Sequence, residues 1–215
     1  MNKKNWLVIA NGKTLSKRQL QQLAVQKSIM VLDGAWMRVK DWPINVDIVL
    51  GDFDSIDQRE LSRRHAANFI HTPDQSRSDL EKALLYLIPL KPDSVTLCQA
   101  TGLRMDHTLF NLRLLKRFHQ DFQSLYLVTE TEKIYFLRDQ HVRIQVAEKQ
   151  PLALMAFPEA IINSVGLEYD MKDYPLTFAY QESISNAVVA QLADIDVKGE
   201  ALLITSHASE LKACV

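Results

Sequence analysis

Cysteine is nearly absent from this chain. There are two in 215 residues, Cys98 and Cys214, far apart and without the spacing of metal ligands. That excludes a disulfide framework and a cysteine-rich metal centre, and it leaves two reduced thiols. Cys98 is expected to serve in packing and Cys214 to have no role. An excess of one charge is missing as well: 25 basic against 26 acidic residues leave a formal net charge of -1. Nothing attracts the chain globally to nucleic acid or to an anionic membrane, and there is no basic stripe to track a phosphate backbone. Long apolar runs are lacking too. The first, Trp6 to Ala10, is too short for a signal-peptide core or a spanning helix, so it reads as a first strand and the protein as cytoplasmic. Internal repeats, low-complexity tracts and flexible linkers are absent. What is left is an ordinary globular composition, 47% hydrophobic, with room for one large or two small domains.

Six short apolar runs follow one another in the first part of the chain: Trp6–Ala10, Ser28–Leu32, Val46–Leu50, Asn68–His71, Ser94–Gln99 and Ser124–Thr129. Runs of this length and content suit strands buried on both faces of a parallel sheet. Helical spacing lies between most of them. Leu20, Leu23 and Ala24 share a face behind a capping Ser16. Leu80, Leu84, Leu85, Leu87 and Ile88 do the same between residues 78 and 90, as do Leu109, Leu112 and Leu115 between 108 and 118. The expectation is α/β: a Rossmann-like, mainly parallel sheet domain over residues 1–132. After about Thr131 only short runs separated by turn-prone residues remain, which predicts a smaller all-β sandwich or barrel over 133–215.

The chemistry collects at the ends of the runs. Val46-Asp-Ile-Val-Leu-Gly-Asp-Phe-Asp-Ser55 empties an apolar strand into a glycine and two aspartates one residue apart. Such a pair suits a hard cation with oxygen ligands, and Mg²⁺ held by Asp52 and Asp54 would bring phosphate chemistry with it. The alternative for Asp54 is to cap a helix starting near Ser55. Three more polar clusters each follow an apolar run: Asp33-Gly-Ala35, Asp74 to Asp79 with Lys82, and Gly102 to His107 with Asn111. In an open α/β sheet such strand ends converge on one crevice. Arg104 has the fork that matches phosphoryl oxygens. Lys82 lies three residues past Asp79, on the same side of a helix, for phosphate contact or a local ion pair. His107 reads as well as a capping or hydrogen-bonding residue as an acid or base. Asn111, on its helical face, contacts nucleotide or fixes His107, and Asp33 contacts nucleotide or substrate or is a turn carboxylate.

These clusters, in this order, resemble the thiamine pyrophosphokinases. Gly51-Asp-Phe-Asp-Ser55 is similar to that family's acidic signature, and Thr72 to Lys82 to its second acidic segment, with Gln75 and Asp79. Gly102-Leu-Arg-Met-Asp-His-Thr-Leu-Phe-Asn111 is similar to its third motif. Gly166-Leu-Glu-Tyr-Asp-Met171 followed by Ser183-Ile-Ser-Asn186 is similar to the thiamine-contacting end of its β domain. The resemblance implies transfer of a diphosphoryl group from Mg·ATP to the hydroxyl of thiamine, giving thiamine diphosphate and AMP. It also implies a homodimer with sites at the subunit interface. Metal ligands are expected at Asp52, Asp54 and Asp79, with Asp106 a fourth acid that ligates metal or orients the attacking hydroxyl. ATP and phosphate contacts are expected at Asp33, Gln75, Lys82, Arg104, His107 and Asn111, and thiamine contacts at Tyr169, Ser185 and Asn186. The chain departs from the pattern in two places: Tyr169 stands where many relatives have tryptophan, and Glu168 where some have a basic residue.

Three competing readings use the same residues. A diphosphokinase for another primary alcohol, such as a hydroxymethylpterin, would lack the Gly166 to Asn186 pattern. A phosphatase of the haloacid dehalogenase type would want Thr or Val where Ile56 stands, and its motif at the start of the fold. A non-catalytic nucleotide- or thiamine-binding protein would have no need of four like-charged acids.

Overall fold

The computed structural model describes residues 5–63 and 65–214, without the side chains of residues 213 and 214. The proposed idle thiol of Cys214 therefore lies outside the described side chains. Two compact units divide the chain, residues 1–130 and 131–215.

In the first unit the apolar runs form strands β1 (Asn5–Ile9), β2 (Ser28–Leu32), β3 (Ile48–Gly51), β4 (Asn68–His71), β5 (Ser94–Cys98) and β6 (Leu125–Val128). Every residue of β2 and of β3 is buried, as continuous apolar strands in a parallel sheet must be. All neighbours pair in parallel, in the order β4-β3-β2-β1-β5-β6. From β1 the chain steps outward to β4, then returns to the other side of β1 for β5. The order therefore reverses between β1 and β5.

Five helices occupy the connections: α1 (Lys17–Ala24), α2 (Asp33–Val39), α3 (Gln58–Leu61), α4 (Asp79–Leu87), which runs into a 3-10 turn at Ile88–Leu90, and α5 (Met105–Phe118). Their starts are written in side chains. Ser16 and Gln19 make a reciprocal capping box on α1, and Ser78 Oγ accepts from the Glu81 N–H at the start of α4. The expected cap at Asp54 is not made: the helix there starts later, behind Asp57, whose carboxylate accepts from the Arg59 N–H. Helix α2 had no periodic signal, because it begins at Asp33 with no gap after β2. The helices bury Leu20, Trp36 and Val39 against Leu7, Ile9, Ile29, Val31 and Val49, each such side chain worth about 1.5–3 kcal/mol. Cys98 is fully buried, and burial pushes its thiol up to about 12, in keeping with a packing role.

The second unit is antiparallel: β7 (Glu132–Gln145), β8 (Gln150–Val165), β9 (Tyr174–Thr177), β10 (Ser183–Val188), β11 (Leu192–Ser206) and β12 (Glu210–Cys214). The order is β12-β7-β11-β8, with β10 on the first half of β8 and β9 on its second half. Here the expectation of short strands was wrong. The apolar runs Lys133–Leu137 and His141–Val146 fall, all but Val146, in one strand of 14 residues, β8 has 16 and β11 has 15. The turn-prone residues mark bulges within strands. Asp139 and Gly199 both have positive φ, the Gly199 N–H donates to Asp139 Oδ1 at 2.7 Å, and the pairing of β11 slips there against both β7 and β8. A bulge bends a strand without ending it. A Cβ at Gly199 would sit 2.6 Å from the Glu159 carbonyl oxygen, so only glycine fits this crossing. The core of this unit is aliphatic: Val142, Ile144, Leu154, Ile162, Leu176, Val188, Ile195 and Leu203. Among the described residues no helix is long and apolar enough to cross a membrane.

Candidate active site

The carboxyl ends of β1, β2, β3 and β5 open into one cavity of about 680 Å³, within the range of small-molecule sites. The order reversal between β1 and β5 lies beneath it, where ligands of open α/β sheets bind. Asp33, Asp52, Asp54, Gln75, Asp79, Lys82, Arg104, His107 and Asn111, nine of the residues expected from the sequence, line it.

Three carboxylates form its floor. Oxygens of Asp33, Asp52 and Asp54 lie within 4.8 Å of one another. Their arrangement follows from the register: Leu32 of β2 pairs with Leu50 of β3, which brings Asp33 alongside Gly51. There is no room for a side chain at 51, where a Cβ would come within 2.3 Å of Asp33 Cγ. Asp33 is buried and accepts from the N–H groups of Gly34 and Phe53. Phe53 has φ +65, a left-handed conformation that costs about 1–3 kcal/mol. It is held by the Asp33 bond and by ring contacts with Phe69 and His71. That twist puts Asp52 and Asp54 on a tight loop, in which the Asp54 N–H donates to Asp52 Oδ1 and Ser55 Oγ donates to Asp54 Oδ1. Burial, then the charges of Asp79 and Asp52, raise the Asp33 carboxyl to about 6 against the pull of its two N–H donors. Acids packed this closely repel one another, and an oxygen-seeking divalent cation relieves the repulsion. The donor set fits Mg²⁺.

Asp79, expected among the metal ligands, is not one of the three. Its carboxylate pairs with Lys82 Nζ at 2.7 Å, and that ammonium also donates to the Thr72 carbonyl at 3.0 Å. Asp33, expected as a nucleotide contact, stands in the group instead. Asp106 lies apart from the acids. It takes a bidentate bond from Arg104, Nε at 3.1 Å and Nη2 at 2.6 Å, and the Arg104 guanidinium and the His107 N–H hold its carboxyl down at about 2. Its carboxylate is thus engaged with the guanidinium two residues before it. Asn111 donates to the Ala100 carbonyl at 2.7 Å, fixing the end of β5 and not His107.

In the second unit, Asn186 is only 2% exposed and its amide is fully used. It accepts from the Tyr169 and Ala187 N–H groups and donates to the Tyr169 carbonyl and Ser183 Oγ. Its part is to clip the turn that presents Tyr169, which is 66% exposed. Ser185 is exposed with φ +58, and Glu168 pairs with Lys149 at 2.7 Å. Asn186→Ala should therefore lower stability by about 1–3 kcal/mol, the cost of buried donors and acceptors left unpaired, with no thiamine present. Thermal melting would read it, and an unchanged midpoint would remove the clip.

The family model described as thiamin pyrophosphokinase, catalytic domain, matches residues 20–127, half of the chain. The chain belongs to the thiamin pyrophosphokinase family. Among curated relatives, Thiamin pyrophosphokinase 1 of Caenorhabditis elegans is 27% identical over 178 residues, covering 77% of this chain and 70% of that one. Thiamine pyrophosphokinase of Bacillus subtilis is 26% identical over 145 residues, covering 65% and 68%. The fold agrees across the whole length. The crystal structure of the Bacillus subtilis thiamine pyrophosphokinase superimposes with a TM-score of 0.83 at 21% identity, covering 94% of this chain and 98% of that one. The Candida albicans enzyme gives 0.83 at 17%, covering 94% and 88%.

Within this thiamin pyrophosphokinase fold, sequence reasoning missed Asn11 and Gly12 after β1 and Gln99 after β5, all of which line the cavity. Nothing local marks them. Their position depends on β5 returning to pair with β1, a contact made 89 residues along the chain between Asn5 and Ser94.

Proposed function

We propose that the chain is a thiamine diphosphokinase: it transfers the diphosphoryl group of Mg·ATP to the primary hydroxyl of thiamine, releasing AMP. The observation that carries the reading is the convergence of Asp33, Asp52 and Asp54 with Lys82 and Arg104 in one cavity, on a chain of this family. The hydroxyl oxygen attacks the β-phosphorus in line and gives up its proton to water, the new O–P bond forms, and the bond to the oxygen bridging the α- and β-phosphates breaks. Both electrons stay with that oxygen, so AMP leaves with the added charge. Asp33, Asp52 and Asp54 would hold Mg²⁺, which when bound neutralises charge on the phosphoryl oxygens. Arg104, held by Asp106 on the loop after β5, offers its guanidinium to the α-phosphate that leaves with AMP. Lys82 lines the same cavity, kept in place by Asp79 and the Thr72 carbonyl.

In this reading, residues 1–132 carry ATP and metal, and residues 133–215 carry thiamine. The flat, exposed ring of Tyr169 suits the aminopyrimidine or the cationic thiazolium, with Ser185, the residue before the Asn186 that holds the Tyr169 turn, for a polar contact. Asn186 acts by holding the turn. The same reading includes a homodimer and a cytoplasmic setting. The test is AMP release from Mg·ATP with and without thiamine, with the diphosphate product identified by mass. Thiamine-dependent AMP and thiamine diphosphate in equal amounts are expected; no thiamine-dependent AMP overturns the reading.

A further inference from the structure

Gln99 combines three features that do not go together in a residue with a purely structural role. It is 2% exposed, its backbone has φ +53, and its carboxamide finds no hydrogen-bond partner for either Oε1 or Nε2 among the described residues. Glutamine gains nothing from the left-handed region, which glycine enters freely. A buried amide with no partner is a standing cost that calls for an explanation. Only the backbone of Gln99 is engaged, its carbonyl accepting from the Gly12 N–H. The residue stands at the carboxyl end of β5, beside the order reversal, and lines the same cavity as the acids.

Its place in the sheet says which part of a ligand it meets. Strands lie about 4.8 Å apart, so β5 is about 10 Å from β2 and about 15 Å from β3. Asp33, Asp52 and Asp54 are on the β2 and β3 side, where the phosphates belong. Gln99 is on the far side of β1, where the other end of a nucleotide bound along the strand ends would lie. A carboxamide offers one donor and one acceptor side by side, the complement of the adenine edge formed by the N6 amino group and N7. The corresponding edge of guanine, O6 with N7, offers two acceptors and leaves the amide oxygen unpaired.

We propose that Gln99 is a specificity-determining residue for the nucleotide: its carboxamide turns from the cavity wall to pair with the adenine edge of ATP. This rests on the reading of the cavity as an ATP site, not on thiamine being the acceptor. The amide without a partner among the described residues then finds one in the base.

The test is calorimetric titration of Mg·ATP and Mg·GTP, without thiamine, into the full chain and its Gln99→Gly and Gln99→Ala variants, alongside thermal melting. The wild type should prefer ATP by about tenfold or more, the worth of one two-point base contact. Both variants should lose that preference through weaker ATP binding, with GTP little changed. Gln99→Gly should also melt higher than wild type without nucleotide, since glycine removes both the left-handed penalty and the unpaired amide. Gln99→Ala keeps the backbone constraint and carries the test if the glycine variant fails to fold. An unchanged ATP-to-GTP ratio in either variant would mean that a buried water satisfies the amide, and it overturns the proposal. A wild type that binds neither nucleotide overturns this and the ATP reading together. One that binds ATP selectively through Gln99 but makes no thiamine diphosphate overturns the reaction alone.

Discussion

Asp52→Asn and Asp54→Asn should each lower the rate of thiamine diphosphate formation by roughly 10²-fold or more, a loss of at least ~2.7 kcal/mol of transition-state stabilisation. The reason is local. The two carboxylates share a floor with Asp33, all within 4.8 Å, and an amide in place of either removes a charge from the ligand set while leaving the size unchanged. The fold should not suffer. Without metal the three acids repel one another, and burial with the neighbouring charges of Asp79 and Asp52 already raises Asp33 to about 6. Taking one charge away relieves that repulsion, so melting temperatures without Mg²⁺ should stay level or rise. Steady-state rates over a Mg²⁺ titration, with melting curves on the same samples, make the comparison. A near-wild-type rate in either variant would remove these residues from the metal site, and a fall in melting temperature would point to a structural role instead.

Gly51→Ala should damage the site from beneath. The new Cβ would lie 2.3 Å from Asp33 Cγ and 2.6 Å from its Oδ2, far inside van der Waals contact, and the neighbour it strikes is a buried carboxylate with two N–H donors. Either Asp33 swings away and frees the Phe53 N–H, or β3 shifts from β2. The first route undoes the left-handed turn that sets Asp52 and Asp54; the second disturbs a pairing in which every residue is buried. Overpacking of this kind costs about 1–3 kcal/mol. We expect a loss of that size in melting experiments, together with a rate loss approaching that of the aspartate variants. Full activity with full stability in Gly51→Ala would mean that Asp33 is not seated against β3 as the structure has it.

Both predictions rest on a residue whose importance was only half legible. The run ending in Gly51-Asp-Phe-Asp54 suggested a cation site by residue type, with helix capping as the other use of Asp54. Asp33 read as a nucleotide contact or a turn residue, since its neighbours in sequence say nothing of β3. The pairing of Leu32 with Leu50 is what places it among the acids, and it is what leaves Asp79 to Lys82. Asn186 shows the same limit in the second unit. A polar residue in a recognised segment reads as a ligand contact, but all its bonds run to Tyr169, Ser183 and Ala187, and burial is invisible in a list of residue types.

The strands repeat the pattern. In the first unit the apolar runs were found within a residue or two of their observed ends, because most of these strands, the edge strand β4 excepted, are buried and have little polar interruption to mislead a reader. In the second unit Asp139 separated two runs that the structure joins in β7, and the runs next to Pro158 and Gly199 stopped short of β8 and β11, since a bulge uses the same residues as a turn.

By itself the sequence determined the α/β and β-rich halves, the helix cap at Ser16, and the stock of acids and bases suited to phosphate, all of which depend on neighbours a few residues away. Tertiary structure alone decided which carboxylates lie within reach of one another, that β7, β8 and β11 run unbroken through their bulges, and that Gln99 sits strained, with no partner for its amide among the described residues, in the wall of the cavity. Those outcomes depend on strand order and register, which bring together residues far apart in the chain and which no local pattern encodes.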